Sequence, residues 1–180
     1  MLAVLRDRLG GAQNGLLVGG WSLLVCVAGL TVVGVLGVVL EQSWVFPSLG
    51  PTLMVLAETP RQPAAHPRNV LVGHAVGVGA GYLALVVTGL TADAAVTQEG
   101  LDAARVVAAC VSVGLTALLL QALRTPHPPA GAATLIVSLG LFRTAEGLGV
   151  LLVSVTVCTL VAALLDRGAS MRLIGLPSDR

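Results

Sequence analysis

The chain contains no lysine and little charge of either sign. All ten basic residues are arginine, nine residues are acidic, and 11% of the chain is charged. Soluble domains carry about a quarter. The net charge of +1 gives no electrostatic basis for nucleic-acid binding, and no nucleic-acid partner is expected. Aromatic residues make up only 3%; Trp21, Trp44 and Tyr82 are too few to mark interfacial belts. Cys26, Cys110 and Cys158 lie apart inside apolar sequence without C-x-x-C spacing. They read as small packing residues rather than disulfide or metal partners. There is no Ser–His–Asp arrangement, phosphate-binding loop or paired carboxylate, so the chain is read as a non-enzyme that needs no cofactor.

What the chain has is apolar length. Mean hydropathy is +0.93. Gly10 to Leu40, Asn69 to Ala92, Val106 to Leu123 and Gly147 to Leu165 are free of Asp, Glu and Arg. A helix crosses the hydrocarbon core with about 20 residues, so these runs predict an all-α polytopic membrane protein with four long spans. The first run is too long for a cleaved signal peptide. Residues 1–180 are expected to form one transmembrane domain with no separate soluble domain. The lipid bilayer is its first partner.

Two shorter apolar stretches, Trp44 to Ala57 and Pro126 to Phe142, are broken by prolines. They either re-enter or cross as part-extended, part-helical segments. Arginine placement arbitrates, because the cytoplasmic side carries the excess. With four crossings and the N-terminus inside, six arginines fall inside and four outside. With six crossings, Arg6, Arg8, Arg61, Arg68, Arg124, Arg167, Arg172 and Arg180 fall inside and only Arg105 and Arg143 outside. Six crossings are therefore expected, with both termini cytoplasmic in a bacterial-type inner (cell) membrane. Glu41 to Pro47 would descend extended at about 3.3 Å per residue, and Ser48 to Ala57 would continue as about 15 Å of helix. Glu41, Glu58 and Glu146 sit at span ends and read as interfacial.

Six crossings divide into inverted 3+3 halves, about residues 15–92 and 103–166, each with two long helices around a broken half-helix. The broken elements share P-x-x-G: Pro47 to Gly50 and Pro128 to Gly131. Interrupted segments at matching places point to a transporter's binding site. Proline suits the first turn of a helix, so Pro47, Pro51, Pro128 and Pro129 mark helix starts facing the interior. Free N–H donors and the positive dipole end would make a site for a small inorganic anion. Gly50 and Gly131 would let it approach the backbone, while Ser48, Thr52, Thr125 and Thr134 add hydroxyls. Such hydroxyls also serve merely to bond their own helix. His127 either donates to the ligand or carries a proton, or else ties down the broken backbone. His74 lies in a glycine ladder, Gly73, Gly77 and Gly81, that reads as helix packing; its ring lines a path or bonds a neighbouring helix. Arg68, Asn69 and Arg124 stand at the cytoplasmic mouth, as snorkelling residues or as an anion funnel. No spacing among His66, His74 and His127 suggests a metal site.

Four blocks carry a family resemblance: "PSLGPT" at Pro47 to Thr52, "ETP" at Glu58 to Pro60, "HPRNVLVGH" at His66 to His74, and "RTPHPPAGAATLIV" at Arg124 to Val137. In order and content they resemble the HPP family of integral membrane proteins, named for the motif that here is His127, Pro128 and Pro129. The resemblance covers roughly residues 15–165. It implies a small multi-span transporter, commonly described with four transmembrane helices, and plant chloroplast relatives are associated with nitrite transport. Some members carry an added regulatory CBS region, and none is expected here. The function expected is transport of a small monovalent anion, nitrite or nitrate, by a protein that self-associates as a homo-oligomer. The alternative is a non-transporting structural or regulatory membrane subunit.

Overall fold

The computed structural model describes residues 11–174, all of whose regular structure is helical. Seven α-helices follow in order: α1 (Gly11–Leu40), α2 (Leu49–Glu58), α3 (Pro67–Thr88), α4 (Val96–Glu99), α5 (Ala103–Ala122), α6 (Ala130–Ser138) and α7 (Ala145–Ile174). A single 3-10 turn, Pro63–Ala65, precedes α3. Four helices are long and apolar enough to cross a membrane, within α1, α3, α5 and α7. Arg6, Arg8 and Arg180, which enter the positive-inside count, lie outside the described residues. The fourth span continues past Leu165: α7 carries Asp166 and Arg167 as further helix.

Local sequence explains the helix ends. α3 opens with Pro67 in its first turn behind His66, whose ring accepts from the Arg68 amide at 3.3 Å. It closes at Gly89, whose φ of 75° is open to glycine. Asp102 caps α5 by accepting from the Arg105 amide at 2.8 Å. Two non-glycine residues adopt left-handed φ, Glu41 and Arg124, both at 53°. They occupy matching places, just after α1 and just after α5, where the chain reverses into each broken segment.

The broken segments run from one end of the bundle to the other. Residues 42–58 return along α1. A Cβ at Gly37 would meet Gln42 and Trp44, and one at Gly29 would meet Leu53; the Ser22 hydroxyl donates to Glu58 at 3.4 Å. At one end, Gln42 donates to Glu146 at 2.6 Å. There Phe46 packs edge-on against Phe142 at 5.9 Å, and the Val96 amide donates to Leu139 at 3.0 Å. At the other end, residues 60–69 gather around Arg124. Residues 41–48 are non-helical and α2 supplies the rest, in the extended-then-helical form that the sequence suggests. The second segment repeats this, with residues 123–129 leading into α6.

Packing follows the same plan in both halves. α2 lies on α1 and α6 on α5; α3 packs on α5 and α7 on α1; α6 packs on α3 and α2 on α7; α3 and α7 meet each other. Half of the apolar window of α3 is buried, against 22% for α1, which makes α3 the hub and α1 a peripheral helix. Val25, Val33, Leu49, Leu53, Val70, Leu85, Val137, Leu151 and Val155 are the heart of the apolar core.

Candidate functional site

The glycine ladder of α3 is the seat of the second broken segment. A Cβ at Gly73 would lie 2.9 Å from His127 Cβ, one at Gly77 2.7 Å from the Ala130 carbonyl, and one at Gly81 2.7 Å from the Thr134 carbonyl. Only glycine lets the two backbones come this close. This close approach carries the His127 ring beside His74, with centroids 5.0 Å apart and planes inclined at 49°.

Thr52 of α2 completes a three-residue cluster. Its Oγ1 stands 3.4 Å from His74 Nε2 and 3.5 Å from His127 Nε2. The same hydroxyl donates to the Ser48 carbonyl at 2.8 Å. On the far side of each ring, Nδ1 faces a main-chain carbonyl: Val70 at 2.9 Å for His74, and Ala64 at 2.8 Å for His127. All three side chains have no solvent exposure. Buried polar groups without water carry a large desolvation cost and are kept where packing or function requires them. The cluster joins α2, the next helix α3, and the distant approach to α6, with Thr52 and His127 separated by 75 positions.

The remaining predicted residues divide into groups. Ser48 is fully buried beside the cluster, and its hydroxyl has no hydrogen-bond partner; Thr125 is likewise buried and unpartnered. Thr134 is not directed at the histidines: its hydroxyl meets Thr116 Oγ1 at 2.9 Å and the Ala130 carbonyl at 3.0 Å. Pro47 and Pro128 are exposed, whereas Pro129 is buried. Gly50 and Gly131 both face open space. The amide donors expected at the helix starts are largely engaged locally. In α6 the amides of Ala130, Gly131 and Ala132 donate to the carbonyls of His127, Pro128 and Pro129. In α2 the Leu49 amide donates to Phe46. These i→i−3 bonds give the opening turns 3-10 geometry, which uses donors that an ordinary α-helical start leaves free. The two helix starts therefore meet through side chains, Thr52 against His127, rather than through bare amides.

Arg68, Asn69 and Arg124 do share a mouth. They line a basin of about 480 Å³ with Arg61, Gln62 and His66, and no carboxylate is among its lining residues. Pro63 and Ala65 of the 3-10 turn also line it. Asn69 donates to the Pro63 carbonyl at 2.8 Å, and the next carbonyl, Ala64, is the one that holds His127. One turn of chain thus separates the arginine basin from the histidine pair. A second basin of about 370 Å³ lies at the opposite end, lined by Gln42, Gln98, Arg143 and Glu146 among others.

Ala64, Val70, Thr116 and the basin role of His66 escape a reading by residue type. Ala64 and Val70 act through main-chain oxygen, which carries no side-chain signal. Arg61 was visible as part of the inner-side arginine excess.

Residues 13–172 match the family model described as HPP, transmembrane region. The chain belongs to the HPP family. A transmembrane protein of Dictyostelium discoideum is 26% identical over 133 residues, covering 71% of this chain and 43% of the relative. The chain thus spans under half of that relative's length. No solved structure matches. In this HPP protein the histidine of the naming motif is the buried His127, and the two prolines after it set the opening turn of α6.

Proposed function

We propose that this HPP membrane protein transports a small monovalent anion, with nitrite or nitrate as the leading substrates. The observation that carries the reading is the buried Thr52–His74–His127 cluster, set one turn of chain beneath an arginine basin whose lining has no carboxylate. Guanidinium groups at a mouth free of acids concentrate anions and repel cations. Unpartnered buried hydroxyls at Ser48 and Thr125 supply donors to a ligand that reaches the interior.

The matching packing of the two halves, and the end-to-end course of both broken segments, support an inverted 3+3 repeat with six crossings. In that arrangement the basin end is cytoplasmic, as arginine excess demands, and the membrane is a bacterial-type inner membrane. Self-association as a homo-oligomer belongs to the same reading; Gly50 and Gly131 leave open faces on the outside of both half-helices.

Nitrite uptake into vesicles containing the purified protein is the test. Uptake above protein-free vesicles, weakened by Arg68→Glu and Arg124→Glu together, is expected. If neither nitrite nor nitrate moves above that background, the non-transporting subunit replaces the transporter as the reading.

A further inference from the structure

The two central histidines are fixed as to which nitrogen carries hydrogen. Each Nδ1 faces a carbonyl oxygen at 2.8–2.9 Å, and a carbonyl only accepts. Each Nδ1 therefore bears the hydrogen, and a neutral ring then presents a bare lone pair at Nε2. Both bare nitrogens face the same Thr52 oxygen, at 3.4 and 3.5 Å. That hydroxyl has one hydrogen, and the Ser48 carbonyl is its nearest acceptor at 2.8 Å. Three acceptors thus converge on one hydrogen in a fully buried place. The arrangement is short of hydrogen, and lone pairs aimed inward repel an anion.

One added proton reverses this. An imidazolium donates from Nε2 as well as Nδ1, so it satisfies a neighbour and attracts negative charge. A second proton is opposed by the first, because the ring centroids are only 5.0 Å apart. We propose that the His74–His127–Thr52 cluster takes its anion only together with one proton, so that the cargo crosses as anion plus proton with no net charge. This rests on the anion-transport reading and names its coupling. The proton comes from water in the arginine basin, binds one Nε2, and departs with the anion on release, which returns both rings to neutrality.

The surroundings leave this role to the pair itself. α2 offers Thr52 and Ser48, and its Glu58 is at the far end with Ser22. α3 offers Val70 and Gly73, with His66 and Arg68 turned out into the basin. The 3-10 turn offers the Ala64 carbonyl, with Arg61 in the basin, and the approach to α6 carries Arg124 there too. On α5, Arg105 is bound to Asp102 and Glu99 at the opposite end. On α7, Cys158 lies against the Gly29 carbonyl and Asp166 lines a crevice at the end of the bundle. Among the described residues, no carboxylate is bonded to either ring.

The experiment loads vesicles containing the full chain with a pH-sensitive dye, clamps the voltage, and follows nitrite and proton uptake together, with protein-free vesicles subtracted. The expected result is one proton per nitrite, a rate indifferent to voltage, and a rate that rises as outside pH falls. His127→Asn keeps a donor for Ala64 and removes Nε2; nitrite-driven proton uptake is expected to fall at least tenfold while the purified protein stays monodisperse. Imidazole nitrogen resonances of labelled wild type should report both neutral rings with hydrogen on Nδ1, and one ring gaining a proton when nitrite is added. A voltage-driven nitrite current without protons overturns the coupling and leaves anion transport standing. So do neutral rings with hydrogen on Nε2. Absence of any nitrite flux overturns both.

Discussion

The two broken segments share one plan but are seated differently. α6 rests on α3 with backbone against backbone, because Gly73, Gly77 and Gly81 clear the way. α2 rests on α1 through a side chain: Leu53 fills the space over Gly29, at 2.7 Å from where a Cβ would stand. On its other side α2 meets α7, whose buried positions among the described residues include Leu151, Val155 and Cys158 and no glycine. The close seat brings an imidazole from the α6 approach up to an imidazole of α3. The wider seat contributes a hydroxyl. Related architecture thus yields unlike chemistry, and the glycine ladder decides which broken segment brings an imidazole to the centre.

Substitutions can separate the two seats. Gly77→Leu should do the most damage, since nothing at Ala130 or Thr134 can move without moving α6; little folded protein is expected on size-exclusion chromatography. Gly77→Ala should cost about 2–3 kcal/mol of stability in detergent. Gly79→Ala, on the open face of the same helix, should leave the melting curve in place. An equal response at both positions would remove the distinction between seat and open face.

His127→Ala comes next. It leaves the Ala64 carbonyl without its donor and opens a void over Gly73, for a loss of about 2–3 kcal/mol. His127→Asn retains the donor and should recover most of that loss in the same thermal measurement.

Gly29→Ala tests the looser seat. The added methyl meets only the far end of the Leu53 side chain, which can rotate aside, so a cost below about 1 kcal/mol is expected. A cost matching Gly77→Ala would show the two seats to be equally rigid.

The smallest effect lies away from both seats. The Arg105 backbone N–H donating to Asp102, with the guanidinium beside it, holds the Asp102 carboxyl below the usual carboxylate range. A lowered folded value means that this contribution is present above the unfolded pKa of about 4 and is lost as pH falls through the folded value. Melting temperature should therefore decline below about pH 4 in the wild type. Asp102→Asn should flatten that part of the profile, which a series of melts across pH will reveal.

The long spans were legible because a chain without charge over 20 residues has few other ways to satisfy its backbone. The extended-then-helical course of residues 41–58 was legible from Pro47, Pro51 and the arginine balance. The glycine ladder was read as packing, and packing against α6 is what it does. Other features were not legible. Thr134 carries the same side chain as Thr52, yet Thr116 of α5 claims it; no local pattern distinguishes them. The opening turns were expected to leave amides free, but 3-10 tightening depends on φ and ψ after each proline rather than on the proline itself. The hydrogen positions on His74 and His127 depend on carbonyls from residues 64 and 70, whose side chains say nothing of the matter.

The contact of α2 with α7 has a consequence for biosynthesis. α6 finds its cradle ready, because α3 and α5 precede it on the ribosome. α2 emerges second among the described helices, with α1 already made, but α7, which covers its other side, emerges last. Ten residues of helix, with a non-helical approach, wait with one face uncovered while roughly a hundred more are made. Until α7 arrives, α2 is held among the long helices by α1 alone, so its second face stays uncovered until the final helix closes over it.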